Sequence, residues 1–224
     1  MAVACAAALA TVPPHFGGAA RASEADPPGR AFAALVERWQ NVRDYSLTID
    51  AHEVDGARID DRTLRYEFRK PDRARLEVLS GNGAGSVVIW HGGNDAVAYR
   101  RSLPWLRGHF DARSKRVTSP RGNGVLTPNL GALLTCWSEH RDALSEHALD
   151  DGDDAGSDRI ELRYDGFSCP TDAARDKDVT RDVLIVSRST HLVMRRERYE
   201  GSTLVERWTL RDLQLDAGIN DSRF

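Results

Sequence analysis

The sequence predicts a mainly β fold of the α+β class, in which two helices accompany an antiparallel sheet. Three observations support this prediction. Apolar and charged residues alternate with period two along several segments, two other segments carry an apolar stripe at helical spacing, and short turn signals join consecutive strands. With 224 residues, the chain is long enough to bury one sizeable core.

The clearest pattern lies between Leu64 and Leu79, where two alternating runs flank a break at Lys70-Pro71-Asp72. Proline has no backbone N–H to donate to a sheet, so the break predicts a hairpin connection. The apolar positions of the two runs are Leu64, Tyr66, Phe68, Ala74, Leu76 and Val78. The alternate positions are mostly charged and predict a solvated outer face.

The first helix is predicted to begin near Arg30, because Phe32, Leu35, Val36 and Trp39 form one helical stripe. From Tyr45 the period changes to two, and the turn signal Asp55-Gly56 closes this strand. The next two predicted strands run from Val87 to Trp90 and from Ala96 to Arg101.

The middle of the chain is less regular. We expect the apolar segment Leu103–Leu106 and the arginine-rich residues 107–125 to form a functional loop. A second helix is predicted to start at Thr127-Pro128 and to continue to about His147. Its stripe consists of Leu130, Leu133, Leu134 and Trp137.

Four strands are predicted in the last third, after an acidic, solvated turn at residues 150–158. They run from Arg159 to Tyr164, Val183 to Arg188, His191 to Tyr199 and Leu204 to Leu215. We expect a lead-in at residues 23–29 and a single domain over residues 30–224.

The N-terminus predicts export. Ala2 to Val12 is a small apolar run, and Ala20-Arg21-Ala22 fits a cleavage site, so residues 1–22 resemble a secretory signal peptide. Cys5 would leave with this segment. Cys136 and Cys169 then remain, either as a disulfide or as two buried thiols.

Composition and motifs exclude several functions. The net charge is −3 with both signs mixed along the chain, so no basic stripe indicates nucleic acid, and no apolar run reaches membrane-span length. Metal, nucleophile and phosphate-loop motifs are missing, and His140 and His147 lack metal-binding spacing on their predicted helix. We therefore expect no cofactor, no metal and no enzymatic activity. The five tryptophans fit either a packed core or the lining of a pocket.

Several motifs, in order, resemble the DUF1571 family of the LolA-like lipoprotein-carrier superfamily. They are Val42-Arg43-Asp44-Tyr45, His52-Glu53-Val54-Asp55-Gly56, Tyr66-Glu67-Phe68-Arg69-Lys70-Pro71, Arg121-Gly122-Asn123, Leu130-Gly131-Ala132-Leu133-Leu134 and residues 210–224. The resemblance implies a strongly curved, incompletely closed antiparallel β-barrel, with helices packed on its concave side as a lid. In carrier members of the superfamily, that concavity accepts the acyl chains of lipoproteins in the periplasm.

The sequence and this resemblance together predict a monomeric periplasmic protein of a Gram-negative-type envelope that binds a lipid or lipidated protein. Membrane-associated proteins are further expected partners. The predicted ligand-binding residues are the inward apolar positions Leu47, Ile49, Leu64, Tyr66, Phe68, Leu76, Val78, Trp90, Leu133, Leu134 and Trp137. The alternative is a protein-interaction or sensor module whose own side chains fill the cavity and whose contact surface is the loop Arg107–Arg121.

Overall fold

The computed structural model describes residues 29–149, 158–169 and 178–224. Within these ranges two α-helices, α1 (Arg30–Gln40) and α2 (Leu130–Glu139), accompany eleven strands. The strands are β1 (Asp44–Asp55), β2 (Arg58–Arg69), β3 (Arg73–Gly81), β4 (Ser86–Trp90), β5 (Asp95–Arg100), β6 (Leu103–Asp111), β7 (Leu144–Ala148), β8 (Arg159–Asp165), β9 (Arg181–Ser187), β10 (Val193–Glu200) and β11 (Thr203–Leu215). The predicted signal peptide, Cys5 and most of the acidic turn lie outside the described residues.

All eleven strands form one sheet in the order β6-β5-β4-β3-β2-β1-β11-β10-β9-β8-β7. Every neighbouring pair is antiparallel. The predicted mainly β class and antiparallel pairing are therefore confirmed. The sheet itself is open, with β6 and β7 at its two edges, and is neither closed nor strongly curled as the resemblance implied.

Both predicted ends of the second helix and one predicted loop were wrong. The second helix does not reach His147, because α2 ends at Glu139 and the chain then forms β7, which pairs with β8. Asn129, and not Thr127, caps α2 by accepting a hydrogen bond from the Ala132 amide at 3.1 Å. The segment beginning at Leu103 is no loop but the strand β6, which forms an edge of the described sheet and therefore tolerates Pro104.

Both helices lie on one face of the sheet, here called the inner face, and sheet tyrosines hold α2 at both ends. The Tyr45 hydroxyl donates to the Pro128 carbonyl at 2.9 Å and accepts from the Leu130 amide at 3.1 Å. The Tyr164 hydroxyl donates to the Trp137 carbonyl at 2.7 Å. Burial raises the pKa of Tyr45 far above its ordinary value and that of Tyr164 to about 12, so both remain neutral donors.

Helix α1 is held at its ends by charges from the sheet. The Glu146 carboxylate accepts from the Phe32 amide at 3.0 Å, at the end where the helix dipole is positive. At the other end, the Lys70 ammonium donates to the Trp39 carbonyl at 3.0 Å. These contacts fix the helix between β7, which contains Glu146, and the β2–β3 turn, which contains Lys70.

The opposite, outer face is less solvated than the alternation predicted. Glu67, Arg75 and Glu77 are buried although they alternate with the apolar positions. Arg223 donates to both oxygens of Glu67, at 3.0 and 2.6 Å, so the C-terminal tail folds across β2 and β3. The prediction of a wholly solvated outer face was wrong at this position because a tail contact, invisible to strand periodicity, covers it.

Candidate ligand groove

A cavity of about 950 Å³, open to solvent, lies on the inner face of the described sheet. We call it the groove. It lies between strands β2–β6 and residues 112–129, which connect β6 to α2 and are here called the covering segment. Its apolar lining consists of Leu64, Leu76, Val78, Val88, Ala98, Tyr99, Leu106, Phe110, Val117 and Trp208. The volume is at the upper end of the range for small-molecule sites.

The groove exists because inner-face side chains become smaller toward the β6 edge. Tyr66, Leu76, Val88, Ala98 and Gly108 are successive cross-strand partners from β2 to β6. Directly opposed residues on antiparallel strands share a face, so this row runs across the sheet below the covering segment. The side chains of the row shorten from tyrosine to alanine, and at its far end the Phe110 ring lies over Gly108, so close that a Cβ atom on Gly108 would come within 2.7 Å of it.

The predicted ligand-binding residues divide between this groove and the packed core. Leu64, Leu76 and Val78 line the groove. Leu47, Ile49 and Leu133 border a second, small gap of about 20 Å³, too small for an acyl chain. Trp90 is half-buried and donates to the Gly93 carbonyl at 2.8 Å. The others, Tyr66, Phe68, Leu134 and Trp137, are buried in the core.

Aromatic rings account for the packing under the helices. Trp39 lies edge-on to Tyr45 with ring centroids 4.9 Å apart, and Tyr45 lies 5.4 Å from Phe68. Trp137 lies edge-on to Tyr164 at 4.6 Å. This part of the inner face is therefore filled by the chain's own side chains, as the alternative prediction of a self-filled cavity expects, although the groove beside it is open.

A buried polar cluster closes one side of the groove, where the covering segment meets β1 and β11. Glu53 and Glu206 are direct cross-strand partners and both are buried. The Asn123 side chain donates to Glu206 at 2.6 Å, and Arg62 donates to Glu53 at 2.9 Å. Burial raises the pKa of Glu53, and the neighbouring Glu206 carboxylate raises it further.

A second contact fastens the covering segment on the same side. Arg121 is buried and donates to the Val54 carbonyl at 2.9 Å and to the Glu200 carboxylate at 2.7 Å. The contact surface predicted at Arg107–Arg121 is therefore not uniform. Arg107, Lys115 and Arg116 are exposed, whereas Ser119 and Arg121 are buried against the sheet.

Basic side chains gather at the groove. Six basic residues line it, namely Arg58, Arg62, Arg100, Arg107, Lys115 and Arg116. Two acidic residues, Asp55 and Asp60, also line it, and Asp60 forms an ion pair with Arg62 at 3.3 Å. This local excess of positive charge contrasts with the net charge of −3 of the whole chain.

Cys136 of α2 and Cys169, which follows β8, form a disulfide with 5.9 Å between their Cα atoms. The bond ties α2 to the sheet, next to the end of the helix held by Tyr164. No group of three or more His, Cys, Asp or Glu residues in the described ranges is arranged to hold a metal ion. Neither described helix is long and apolar enough to cross a membrane.

Sequence reasoning missed most of the groove's own features. Val88, Ala98 and Phe110 were overlooked because they are small or lie on the unrecognised edge strand. The sequence did contain one usable signal, the decrease in side-chain size from Leu76 to Ala98 at matched strand positions. The cluster around Glu53 and Glu206 gave no signal, because its members lie far apart in the chain.

No protein-family model matches the chain, and neither does any curated protein sequence. Solved structures match over most of its length at low similarity. A DUF1329 family protein from Desulfovibrio piger is 15% identical, with 87% of this chain and 95% of that one covered and a TM-score of 0.42. A LolA superfamily protein from Nitrosomonas europaea is 11% identical, with 86% and 96% covered and a TM-score of 0.36.

The structure of the MucA/MucB complex from Pseudomonas aeruginosa is a further match. The aligned chain is 13% identical, with 86% of this chain and 59% of that one covered and a TM-score of 0.45. Identities and TM-scores this low establish no family for the chain. The resemblance to the DUF1571 family remains a prediction from the sequence.

Proposed function

We propose that the protein is an exported, non-enzymatic binding protein of the LolA-like type that holds an acyl chain of a lipid or lipidated protein in the groove. The observation that carries this proposal is the cavity of about 950 Å³ with its apolar floor. An acyl chain lying on that floor would be stabilised by about 25 cal/mol for each Å² of apolar surface removed from water.

Export is part of the proposal. The disulfide between Cys136 and Cys169 is the bond expected in an oxidising compartment, such as the periplasm of a Gram-negative-type envelope. It agrees with the signal peptide predicted over residues 1–22. A single domain over residues 30–224 is the simplest unit for this function, since one sheet runs through all the strands.

Filling the groove tests the proposal. Ala98 lies between its cross-strand partners Val88 and Gly108 on the floor of the groove. Ala98→Phe would therefore place a ring where the acyl chain of the ligand is expected to lie. We expect affinity for a single-chain lysolipid, measured by isothermal titration calorimetry on delipidated protein, to fall at least about tenfold. Mass spectrometry of the purified wild-type protein should also detect co-purified lipid.

Val97→Phe is the matched control. Val97 is the preceding residue of the same strand, and it pairs with Ile89 and His109 on the outer face. This variant should bind as the wild type does, and the melting temperatures of both variants show whether the fold is intact. A delipidated wild type that binds no lysolipid, or an Ala98→Phe variant that binds normally, would overturn the proposal.

The alternative, a protein-interaction module, is favoured by one observation at the edge strand. Trp105 and Leu106 of β6 are 76% and 69% exposed, and no described strand pairs with the outer side of β6. Exposed apolar residues on an open edge are a common site of strand addition by a partner. Loss of a captured partner on replacing Trp105 with serine, with lysolipid binding unchanged, would favour this function.

A further inference from the structure

The groove mouth is built from three hairpins that meet at one end of the sheet. In an antiparallel meander, alternate connections lie at the same end, so the β1–β2, β3–β4 and β5–β6 turns are neighbours. Arg58 follows the first turn and Arg100 precedes the third. Lys115 and Arg116 approach the same groove from the covering segment.

These cations have no carboxylate partner within the described ranges of the chain. Among the described residues, none of Arg58, Arg100, Lys115 and Arg116 forms an ion pair, and the same holds for Arg107. Arg100 donates to the Ala84 carbonyl at 2.6 Å, which holds its guanidinium between the β3–β4 and β5–β6 turns. Arg107 lies over the Tyr99 ring, 5.2 Å from its centroid.

Arginines of the outer face are different. Arg69 and Arg73 both contact Asp221, at 2.8 and 2.6 Å, and Arg223 contacts Glu67 at 2.6 Å. Even Arg101, the chain neighbour of Arg100, pairs with Glu77 at 3.1 Å. Since the chain has slightly more acidic than basic residues overall, unpaired cations at the groove mouth are a local feature and not a consequence of composition.

An apolar floor that leads to unpaired cations is complementary to one class of molecule. We propose that the groove takes amphiphiles with an anionic head group, a carboxylate or phosphate, which lies among Arg58, Arg100, Lys115 and Arg116 while the acyl chain lies on the floor. The cations supply charge-assisted hydrogen bonds to the head group. This inference rests on the proposed function and adds to it the chemical class of the ligand.

The test compares four ligands that have the same acyl chain and different head groups. Myristoyl lysophosphatidylglycerol carries an anionic phosphate, myristoyl lysophosphatidylcholine is zwitterionic, and monomyristoylglycerol is neutral; myristate supplies a carboxylate on the same chain. Each is titrated into the delipidated protein below its micelle concentration. We expect either anion to bind at least about tenfold more tightly than the other two at low salt, with the preference shrinking as salt rises.

Variants locate the preference. Lys115→Gln with Arg116→Gln should abolish most of the discrimination, and so should Arg58→Gln with Arg100→Gln. Arg101→Gln is the matched control, because Arg101 is exposed and engages Glu77 on the outer face. The control should discriminate as the wild type does. Arg100 also holds two turns together, so the Arg58/Arg100 variant could lose binding through a folding defect. The Lys115/Arg116 variant tests the head-group preference without removing that contact.

The outcomes separate the two proposals. If all four ligands bind with similar affinity, or if the mouth variants still prefer the anions, the anionic head group is wrong and the acyl-chain groove stands. If none of the ligands binds, both proposals fail. A preference for myristate alone, or for lysophosphatidylglycerol alone, supports the anionic class and identifies the carboxylate or the phosphate as its head group.

Discussion

The inner face of the sheet has two halves that differ in how their space is filled. Under α1 and α2, aromatic side chains from β1, β2 and β8 occupy the volume, and Trp137 is fully buried. Beside them, strands β3–β6 present Leu76, Val88, Ala98 and Gly108, with no helix above them. The first is the helix-covered half and the second the open half. The same sheet thus provides a self-supporting core and a vacant surface.

This difference shows how one fold can combine stability with binding. Side chains that fill a core contribute packing and burial, whereas side chains that border a groove leave part of their surface in water. A surface of large residues would fill its own space, whereas the short side chains of Val88 and Ala98 leave volume between the sheet and the covering segment. Matched substitutions in the two halves should therefore have very different effects on stability.

The largest difference is expected between two tryptophans. Trp137 is 0% exposed in the helix-covered half, and Trp105 is 76% exposed on β6. Trp137→Ala should lower the free energy of unfolding by about 3–5 kcal/mol, because it removes a large buried ring and leaves a cavity. Trp105→Ala should change it by no more than about 0.5 kcal/mol. Urea unfolding followed by circular dichroism measures both, and equal losses would remove the distinction between the halves.

The disulfide should matter next, and only to the helix-covered half. Cys136 and Cys169 are 33 residues apart in the chain. Replacing both with serine should cost about 2–4 kcal/mol of stability, since the unfolded chain gains conformational freedom. Lysolipid affinity should stay within about twofold of the wild type at a temperature where the variant is folded, because neither cysteine lines the groove. Reduced affinity in the folded variant would show that the two halves are coupled.

A pair of tyrosines tests the attachment of α2. Tyr45→Phe removes the hydroxyl that bridges the Pro128 carbonyl and the Leu130 amide, leaving buried backbone groups without that partner. We expect a loss of about 1–3 kcal/mol in urea unfolding. Tyr99→Phe is the control outside the helix-covered half, because the Tyr99 hydroxyl has no hydrogen bond to the described residues. A neutral Tyr45→Phe would mean that packing alone holds the helix.

The two halves were not equally predictable from the sequence. Helical stripes and strand alternation are local, so α1, β1–β5 and the inward set around Tyr66 and Phe68 could be predicted from residues close in the chain. The end of α2 could not, because β7 exists only through its pairing with β8. Of the large apolar residues predicted to bind the ligand, Leu64, Leu76 and Val78 line the groove, whereas Tyr66, Phe68, Leu134 and Trp137 lie in the packed core.

The groove depends on small side chains and on residues that lie far apart in the sequence. Ala98 carries little hydrophobic signal, yet its short side chain helps to leave the volume open. The cations of its mouth come from two hairpins and the covering segment, which lie far apart in the chain and are brought together only by the fold. Periodicity reports which face a residue occupies, but not whether anything covers that face.

The smallest expected effect concerns the buried carboxylates where the halves meet. Burial and the facing Glu206 raise the pKa of Glu53 in the folded protein. The stability that this group contributes is therefore fully present below its ordinary pKa of about 4.5 and decreases as the pH rises from there through the raised value. Glu53→Gln stays neutral, so its unfolding free energy in urea, measured from pH 4.5 to 8, should decline less with pH than that of the wild type.

Glu197 on the outer face is the control with the opposite sign. Burial alone would raise its pKa, but hydrogen bonds from Tyr199 and Arg207 outweigh burial and lower it. Its contribution is present above the ordinary pKa and is lost as the pH falls through the lowered one, so Glu197→Gln should flatten the acid side of the profile. If Glu53→Gln also flattened the acid side, Glu53 would be an ordinary ion-paired carboxylate. Ionisation of Glu53 would then cause no loss of stability as the pH rises, and the contacts between the two halves would not weaken with it.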